Sequence, residues 1–123
     1  MSRAARGAAA RLSGHRAETI AAWLLRLKGY RILARDRREV GGEIDLVARR
    51  GRMLVFVEVK RRGNPLLAAE SVRVRQRRRI ERAAASFLAR RPALAGCAVR
   101  FDAVLLGGGL PRHVTDAWRD SGR

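Results

Sequence analysis

The stretch Gly42–Arg62, GEIDLVARRGRMLVFVEVKRR, decides the fold of this 123-residue chain. Residues 43–49 and 52–60 are two strand-like runs rich in aliphatic and aromatic side chains. Arg50 and Gly51 separate them, which is the length of connection that closes an antiparallel hairpin. The stretch therefore predicts two adjacent antiparallel strands, the second of them apolar enough to be central in a sheet.

The predicted hairpin brings charged side chains onto one face. With the turn at residues 50–51, Glu43 lies opposite Glu58, and Asp45 lies opposite Phe56 as a diagonal neighbour of Glu58. Side chains alternate along strands, so these three acids share a face with Lys60. Opposed acids repel unless a cation lies between them, and buried charges persist only when they are paired or bound to metal. The pattern favours a cation site over the alternative, an ordinary salt-bridged sheet surface.

Working outward, the rest of the chain predicts two helices and three further strands. The first helix carries an apolar stripe at helical spacing, Ile20, Trp23, Leu24 and Leu27, and Gly29 follows its end. The predicted elements are a helix over 15–28, a strand over 30–35 followed by a charged turn over 36–39, a helix over 74–90, a strand over 98–106 and a short strand over 113–118. The order predicts an α/β fold with a mixed sheet, an antiparallel hairpin and flanking helices.

The composition indicates a polyanionic partner. Lys and Arg number 28 against 11 Asp and Glu, a formal net charge of +17, and only Lys28 and Lys60 are lysines. Arginine grips phosphate oxygens with two donors at once, although an arginine excess can equally reflect a GC-rich genome. No run approaches the ~18 apolar residues that span a bilayer. Nucleic acid is therefore favoured over membrane as the partner.

Length and cysteine content restrict the organisation further. A chain of 123 residues predicts one domain, which we place at residues 14–120 after a basic, disordered arm over residues 1–13. Cys97 is the sole cysteine, which excludes an internal disulfide and a multi-cysteine zinc site and favours a small buried residue over a nucleophile. These features predict a cytoplasmic protein.

Several motifs in fixed order resemble a known family. They are RAE at 16–18, GYRILARD at 29–36, GEIDLVAR at 42–49, LVFVEVKRR at 54–62 and RFDAVLL at 100–106. The acid followed by ExK resembles the core of the PD-(D/E)XK nuclease superfamily. The whole series resembles its YraN-like branch of small uncharacterised bacterial proteins.

The resemblance implies a restriction-endonuclease-like fold and Mg²⁺- or Mn²⁺-dependent hydrolysis of phosphodiester bonds. It implies that Asp45 and Glu58 are metal ligands, with the carbonyl of Val59 as a further ligand. Lys60 would position the attacking water. Glu18 matches the first-helix acid that assists metal or water binding in related nucleases and Holliday-junction resolvases.

Other residues receive different assignments. Where members of the family often carry a lysine early in the second helix, this chain has Gln76, which can orient a phosphate or water but cannot supply the charge. We expect Glu43 to support the ligands rather than to bind metal, and Asp102 to form an internal salt bridge. His15 and His113 lack partner ligands in the sequence and are interpreted as structural.

The predicted nucleic-acid contacts are arginines. Four of them repeat at helical spacing on the outer face of the second helix, and two follow the second hairpin strand. They are Arg61, Arg62, Arg75, Arg78, Arg79 and Arg82, with Arg35, Arg37 and Arg38 as further candidates. For any single arginine, the alternative is an ordinary solvated helix face.

Three functional hypotheses remain open from the sequence. The leading one is a metal-dependent nuclease acting on DNA rather than RNA, with structured or recombination intermediates as candidate substrates. It could act as a homodimer, as resolvases of the superfamily often do. The second hypothesis is a catalytically inactive nucleic-acid-binding module that works with a partner. The third, a ribosome- or RNA-associated structural protein, ranks last.

Overall fold

The computed structural model describes residues 3–61, 72–107 and 109–120, and the side chains from residue 14 onward within the first of these ranges. These described residues contain two α-helices, one short 3₁₀ turn and five strands. In chain order they are α1 (Arg3–Leu27), β1 (Arg31–Glu39), β2 (Gly42–Arg50), β3 (Met53–Arg61), α2 (Val74–Ala89), the 3₁₀ turn (Pro92–Leu94), β4 (Ala98–Leu106) and β5 (Arg112–Trp118).

The five strands form one mixed sheet in the order β1-β2-β3-β4-β5. Strands β3 and β4 are parallel, with α2 in the connection between them, and the other three pairs are antiparallel. The predicted α/β architecture, a mixed sheet with an antiparallel hairpin flanked by helices, is confirmed and matches the restriction-endonuclease-like fold.

The sheet separates two apolar cores. On one face, α2 packs its buried residues Ile80 and Phe87 onto Phe56 and Phe101. On the other face, α1 packs against alternate residues of the same strands, such as Val57. Because neighbouring residues of β3 enter opposite cores, the strand is covered on both sides, as its continuous apolar run predicted.

Helix α1 differs from its prediction in start and orientation. It begins at Arg3 rather than residue 15, so the backbone over residues 3–13 is helical and continuous with the rest. The predicted apolar stripe is wrong, because Ile20 and Trp23 are 42% and 58% exposed, whereas Ala21 and Leu25 are buried. Small alanine side chains let the helix lie close to the sheet. No described helix is both long and apolar enough to cross a membrane.

Strand β1 is longer than predicted. The charged turn expected over residues 36–39 is wrong, since β1 continues through Glu39. Asp36 has a φ of +48°, in the left-handed region that Asp tolerates better than most residues, and the pairing with β2 shifts between Ile32 and Ala34. These two irregularities interrupt the regular geometry of the edge strand. They could not be predicted from the charged residues of this stretch.

The hairpin register is two residues away from its prediction. Val47 lies opposite Phe56, so the turn is formed by Gly51 and Arg52. The expected opposition of Glu43 to Glu58 is therefore wrong. A shift of two residues leaves every side chain on its predicted face, because the alternation has a period of two.

Two glycines fix how α2 approaches the turn between β1 and β2. A Cβ on Gly41 would come within 2.8 Å of the Arg82 Cβ, and one on Gly42 within 3.0 Å of the Arg79 carbonyl oxygen. Gly41 also has a φ of +99°. Glycine at both positions lets α2 lie directly over this turn, near the strand end that carries Asp45.

Candidate metal centre

Asp45 lies where β2 and β3 stop pairing. The ladder between the two strands ends with Leu46 opposite Val57. One residue further on, the backbone N–H of Val59 donates to Oδ2 of Asp45 at 2.8 Å instead of to a carbonyl. A side-chain oxygen has replaced the next ladder acceptor, which holds the Asp45 carboxylate between the two strands.

Glu58 and Lys60 follow on β3 and are bridged by helix α2. The side-chain amide of Gln76 donates from Nε2 to Oε1 of Glu58 at 2.7 Å. Lys60 Nζ donates to Oε1 of the same amide at 2.9 Å and lies 3.7 Å from Glu58 Oε1. Gln76 therefore uses both ends of its amide to link the acid to the base. The expectation that it faces inward is met, and its role toward a phosphate or water stays a prediction.

Asp45 and Glu58 are close enough for each carboxylate to influence the pKa of the other. Burial raises the pKa of Asp45 above its ordinary value, against the opposing effect of the Val59 N–H. Burial, followed by the charge of Asp45, raises the pKa of Glu58, and Lys60 offsets only part of that. A pair of buried acids with this electrostatic balance binds either a shared proton or a cation.

Glu18 belongs to a second group, carried by α1 and β1, that is close enough to Asp45 for the two charges to interact. Burial, then a hydrogen bond with Asp36, raises the pKa of Glu18 to about 8, and the charge of Asp45 adds to the rise. Its Oε1 is buried and has no hydrogen-bond partner among the described residues. Ligand atoms of His15, Glu18 and Asp36 all lie within 4.8 Å of one another.

Sequence reasoning missed two members of this arrangement. Asp36 was assigned to a charged turn and His15 to a structural role, yet both offer ligand atoms beside Glu18. The signal for Asp36 was its residue type, since Asp tolerates a left-handed backbone in a strand irregularity. For His15, the spacing of three residues from Glu18 placed both on one helix face.

Two other acids of the sequence analysis, Glu43 and Asp102, lie outside this cluster. Glu43 is exposed, and its charge contributes to the raised pKa of Asp45 without joining the cluster. Asp102 is fully buried and forms the expected internal salt bridge, with Arg100 at 2.8 Å and His113 Nε2 at 2.7 Å. His113 is therefore structural, as interpreted. Cys97 is half-buried against the α2 core rather than fully inside it.

The predicted nucleic-acid arginines on α2 are exposed. Arg79 and Arg82 leave the helix beside the turn between β1 and β2, and Arg61 ends β3 beyond Lys60. Arg62 lies outside the described residues. The exposed members on α2 are Arg75, Arg78, Arg79 and Arg82. Their contact with nucleic acid stays a prediction, as do the roles of the site residues above.

Comparison with known proteins gives a consistent family. The profile of the uncharacterised protein family UPF0102 matches residues 17–106. A UPF0102 protein of Paramagnetospirillum magneticum is 58% identical over 116 residues, which is 90% of both chains. A UPF0102 protein of Parvibaculum lavamentivorans is 56% identical over 116 residues, covering 94% of this chain and 87% of the relative. A third, from Caulobacter sp. strain K31, is 49% identical over 119 residues, covering 96% and 86%. This chain belongs to the UPF0102, or YraN-like, family, a member of the PD-(D/E)XK-like nuclease superfamily.

Proposed function

We propose that this protein is a Mg²⁺- or Mn²⁺-dependent nuclease that hydrolyses phosphodiester bonds in DNA, with structured or recombination intermediates as substrates and a homodimer as a candidate working form. One observation carries the proposal. Asp45, Glu58 and Lys60 meet at the same point of the sheet, where burial raises the pKa of both acids. The single charge of Lys60 does not balance two acids.

The donor set fits a hard divalent cation. Mg²⁺ takes oxygen ligands, binds through one or two carboxylates and completes its shell with water and substrate phosphate. Asp45 and Glu58 would hold the ion, with the Val59 carbonyl as a further ligand. The buried Oε1 of Glu18, which has no hydrogen-bond partner among the described residues, is a further oxygen in the neighbourhood of Asp45. When bound, such an ion would supply Lewis acidity and lower the pKa of a coordinated water.

The protein's own side chains perform the remaining tasks. Lys60 Nζ is a fixed positive charge for the oxyanion that develops at the scissile phosphate. Gln76 holds Lys60 in position through the 2.9 Å hydrogen bond and holds Glu58 through its other end. The attacking group is water, so the mechanism needs no serine or cysteine nucleophile.

Cleavage assays with matched variants test the proposal. Labelled linear, nicked, branched and single-stranded DNA, with RNA as a comparison, would be incubated with Mg²⁺, Mn²⁺ or EDTA. Asp45→Asn keeps an oxygen for the Val59 N–H but loses the charge, and we expect cleavage to fall by about 10²–10³-fold while DNA affinity changes little. The control is Asp116→Asn, an exposed acid whose side chain pairs with Arg119. Equal cleavage by Asp45→Asn and the control would contradict the proposal.

A second candidate function is a catalytically inactive nucleic-acid-binding module. It is favoured by Gln76, a neutral amide at a position where family members often carry lysine. If this is the function, DNA binds with a strong salt dependence, no metal supports cleavage of any substrate, and Asp45→Asn leaves every measured property intact. Gln76→Lys restores the missing charge, and a gain of cleavage in that variant alone would identify a lapsed nuclease.

A further inference from the structure

The opposite end of β2 carries a second cluster of like charges, and it is basic. Arg31, Arg49 and Arg50 line an open cavity of about 430 Å³ together with Gly29 and Gly51. This basic pocket lies at the turn end of the hairpin, whereas Asp45 lies at the other end of the same strand. None of its lining residues is among the arginines predicted to contact nucleic acid.

The strand register sets two of these arginines against each other. Arg31 and Arg49 are direct partners across β1 and β2. Like charges in directly opposed positions are destabilising, since their side chains project to the same side of the sheet. Among the described residues, no carboxylate forms an ion pair with any of the three arginines, in contrast to Arg100 and Arg119. A bound anion would therefore relieve the repulsion between Arg31 and Arg49.

Two of the guanidinium groups are already held in place. Nε of Arg49 donates to the carbonyl of Gly51 at 2.8 Å, and Nη1 of Arg50 donates to the carbonyl of Lys28 at 3.1 Å. The Arg50 guanidinium also lies over the Tyr30 ring, 4.4 Å from its centroid. These contacts use neutral groups and leave most of the N–H donors of each arginine available. Arginines fixed in this way lose little conformational freedom when they bind an anion.

The chemistry and position of the basic pocket point to a backbone phosphate. A phosphate accepts paired donors from each guanidinium and carries the negative charge that the opposed arginines require. Arg49 is four residues from Asp45 along β2, a separation of roughly 13 Å in an extended strand. Backbone phosphates of one DNA strand advance ~3.4 Å per nucleotide along the helix axis, so the separation corresponds to about four nucleotides.

We propose that Arg31, Arg49 and Arg50 form a phosphate-binding site that holds the nucleic-acid backbone about four nucleotides from the phosphate placed beside Asp45. Because Arg49 and Asp45 lie on the same strand, the distance between the phosphate-binding site and Asp45 is fixed. The assignment of the ligand to nucleic acid rests on the proposed function of the Asp45 end, whereas anion binding by the basic pocket does not. The site would position the substrate rather than take part in the chemistry.

Binding measured in EDTA separates this proposal from nuclease activity. The probes are a fluorescently labelled long DNA duplex of 16 base pairs and a short duplex of about three base pairs, covalently cross-linked so that its strands stay paired. At ~3.4 Å per base pair only the longer can reach from Asp45 to the basic pocket. Binding is followed by anisotropy over a salt series. The variant is Arg31→Gln with Arg49→Gln. The matched control is Arg26→Gln with Arg112→Gln, which removes the same charge from two exposed positions outside the basic pocket.

We expect the pocket variant to weaken binding of the long duplex about 10-fold and to lower the slope of log K against log salt by about 0.9 per lost phosphate contact. The control should change binding of the long duplex less than the pocket variant does, and the short duplex should bind the two variants equally. Thermal unfolding would show that both variants are folded, and relief of the opposed charges should raise the Tm of the pocket variant alone.

Two outcomes would overturn the proposal. One is an equal loss of long-duplex affinity in the pocket variant and the control. The other is a Tm increase of the unmodified protein with millimolar inorganic phosphate, abolished in the pocket variant, without any length-dependent effect on DNA binding, which would assign the site to a free anion. If cleavage is absent with every metal but the length-dependent loss is observed, the phosphate site stands and the nuclease proposal fails.

Discussion

Asp102 on β4 and Glu58 on the adjacent strand β3 are both buried carboxylates, at 0% and 6% exposure, yet folding shifts their pKa values in opposite directions. Burial alone would raise the pKa of Asp102, but hydrogen bonds from His113 and Arg100 hold it below its ordinary value. Burial raises the pKa of Glu58, and the neighbouring Asp45 raises it further. Asp102 is balanced by two close partners within the fold, whereas Glu58 has a single lysine 3.7 Å away and a second acid, Asp45, beside it.

The difference separates a structural acid from a functional one. Nε and Nη2 of Arg100 donate to the two oxygens of Asp102, and the backbone N–H of Asp116 adds a third donor. At Glu58 the donors are a neutral amide and a partly exposed lysine that lies 3.7 Å away. A carboxylate left under-compensated in a folded protein is a candidate ligand for a cation that the fold itself does not supply.

The largest effect on stability should come from removing Asp102, whose charge is balanced by Arg100 and His113. Asp102→Ala would leave Arg100 buried beside a cavity without its counter-charge, and we expect it to reduce the free energy of unfolding by about 3–5 kcal/mol. Urea denaturation at pH 7 measures this. A loss below about 1 kcal/mol would show that the Asp102 group is no more than a surface-like ion pair.

Substitution of Glu58 should change the free energy of unfolding in the opposite direction. Glu58→Gln removes a buried charge, keeps an oxygen for the Gln76 amide and leaves Lys60 with access to water. In metal-free buffer at pH 8, we expect the variant to be more stable than the parent protein by about 1 kcal/mol. Destabilisation of the size expected for Asp102→Ala would mean that Glu58 is a structural acid after all.

The pH dependence of stability distinguishes the two groups without any mutation. Glu58 has a folded pKa of about 8 against an ordinary 4.5, so the unfolded chain releases its proton first as the pH rises. Stability should therefore fall between these values, with a slope of at most about 1.4 kcal/mol per pH unit from this group. Asp102 has the opposite effect, because its pKa is lowered in the folded protein. It therefore stabilises the fold at pH values above its unfolded pKa, and this stability is lost on acidification.

Unfolding curves recorded in EDTA from pH 4.5 to 8 test this expectation. The slope should be smaller in Glu58→Gln than in the parent protein and unchanged in the exposed-acid variant Asp116→Asn. A slope that is the same in all three proteins would contradict the assignment of the raised pKa to Glu58.

The smallest expected effect concerns Glu18, which carries the buried oxygen without a described partner. Glu18→Gln should weaken Mn²⁺ binding by about 10-fold, as supporting groups around a metal do, and leave the fold intact. Electron paramagnetic resonance of free Mn²⁺ in a titration measures the affinity. If the affinity is unchanged while Asp45→Asn abolishes binding, Glu18 belongs to the structure and not to the metal centre.

Much of the site was predictable because strand alternation tolerates register errors. The turn position was wrong by one residue and the register by two, yet Asp45, Glu58 and Lys60 still share the predicted environment. Helix α2 was predicted with correct bounds to within one residue, since its apolar residues repeat cleanly and Pro92 follows. Most of the fold could therefore be predicted from the local periodicity of apolar residues.

What was not predictable depends on contacts between distant segments. The packing of α1 against β1 brings Asp36 beside Glu18, and the pairing of β1 with β2 sets Arg31 against Arg49. Neither contact follows from the periodicity of a single element. The orientation of α1 was also missed, because large apolar residues were expected inside. The helix instead buries alanines such as Ala21 and leaves Trp23 exposed.

Isothermal titration of Mn²⁺ into the metal-free protein is the most direct test of whether Asp45 and Glu58 bind a cation. We expect saturable binding in the parent protein, accompanied by proton release as the shared proton of Asp45 and Glu58 leaves, and loss of both signals in the double variant Asp45→Asn with Glu58→Gln. Asp116→Asn should behave as the parent does. Identical binding heats and proton release in the parent and the double variant would show that these acids do not hold a cation.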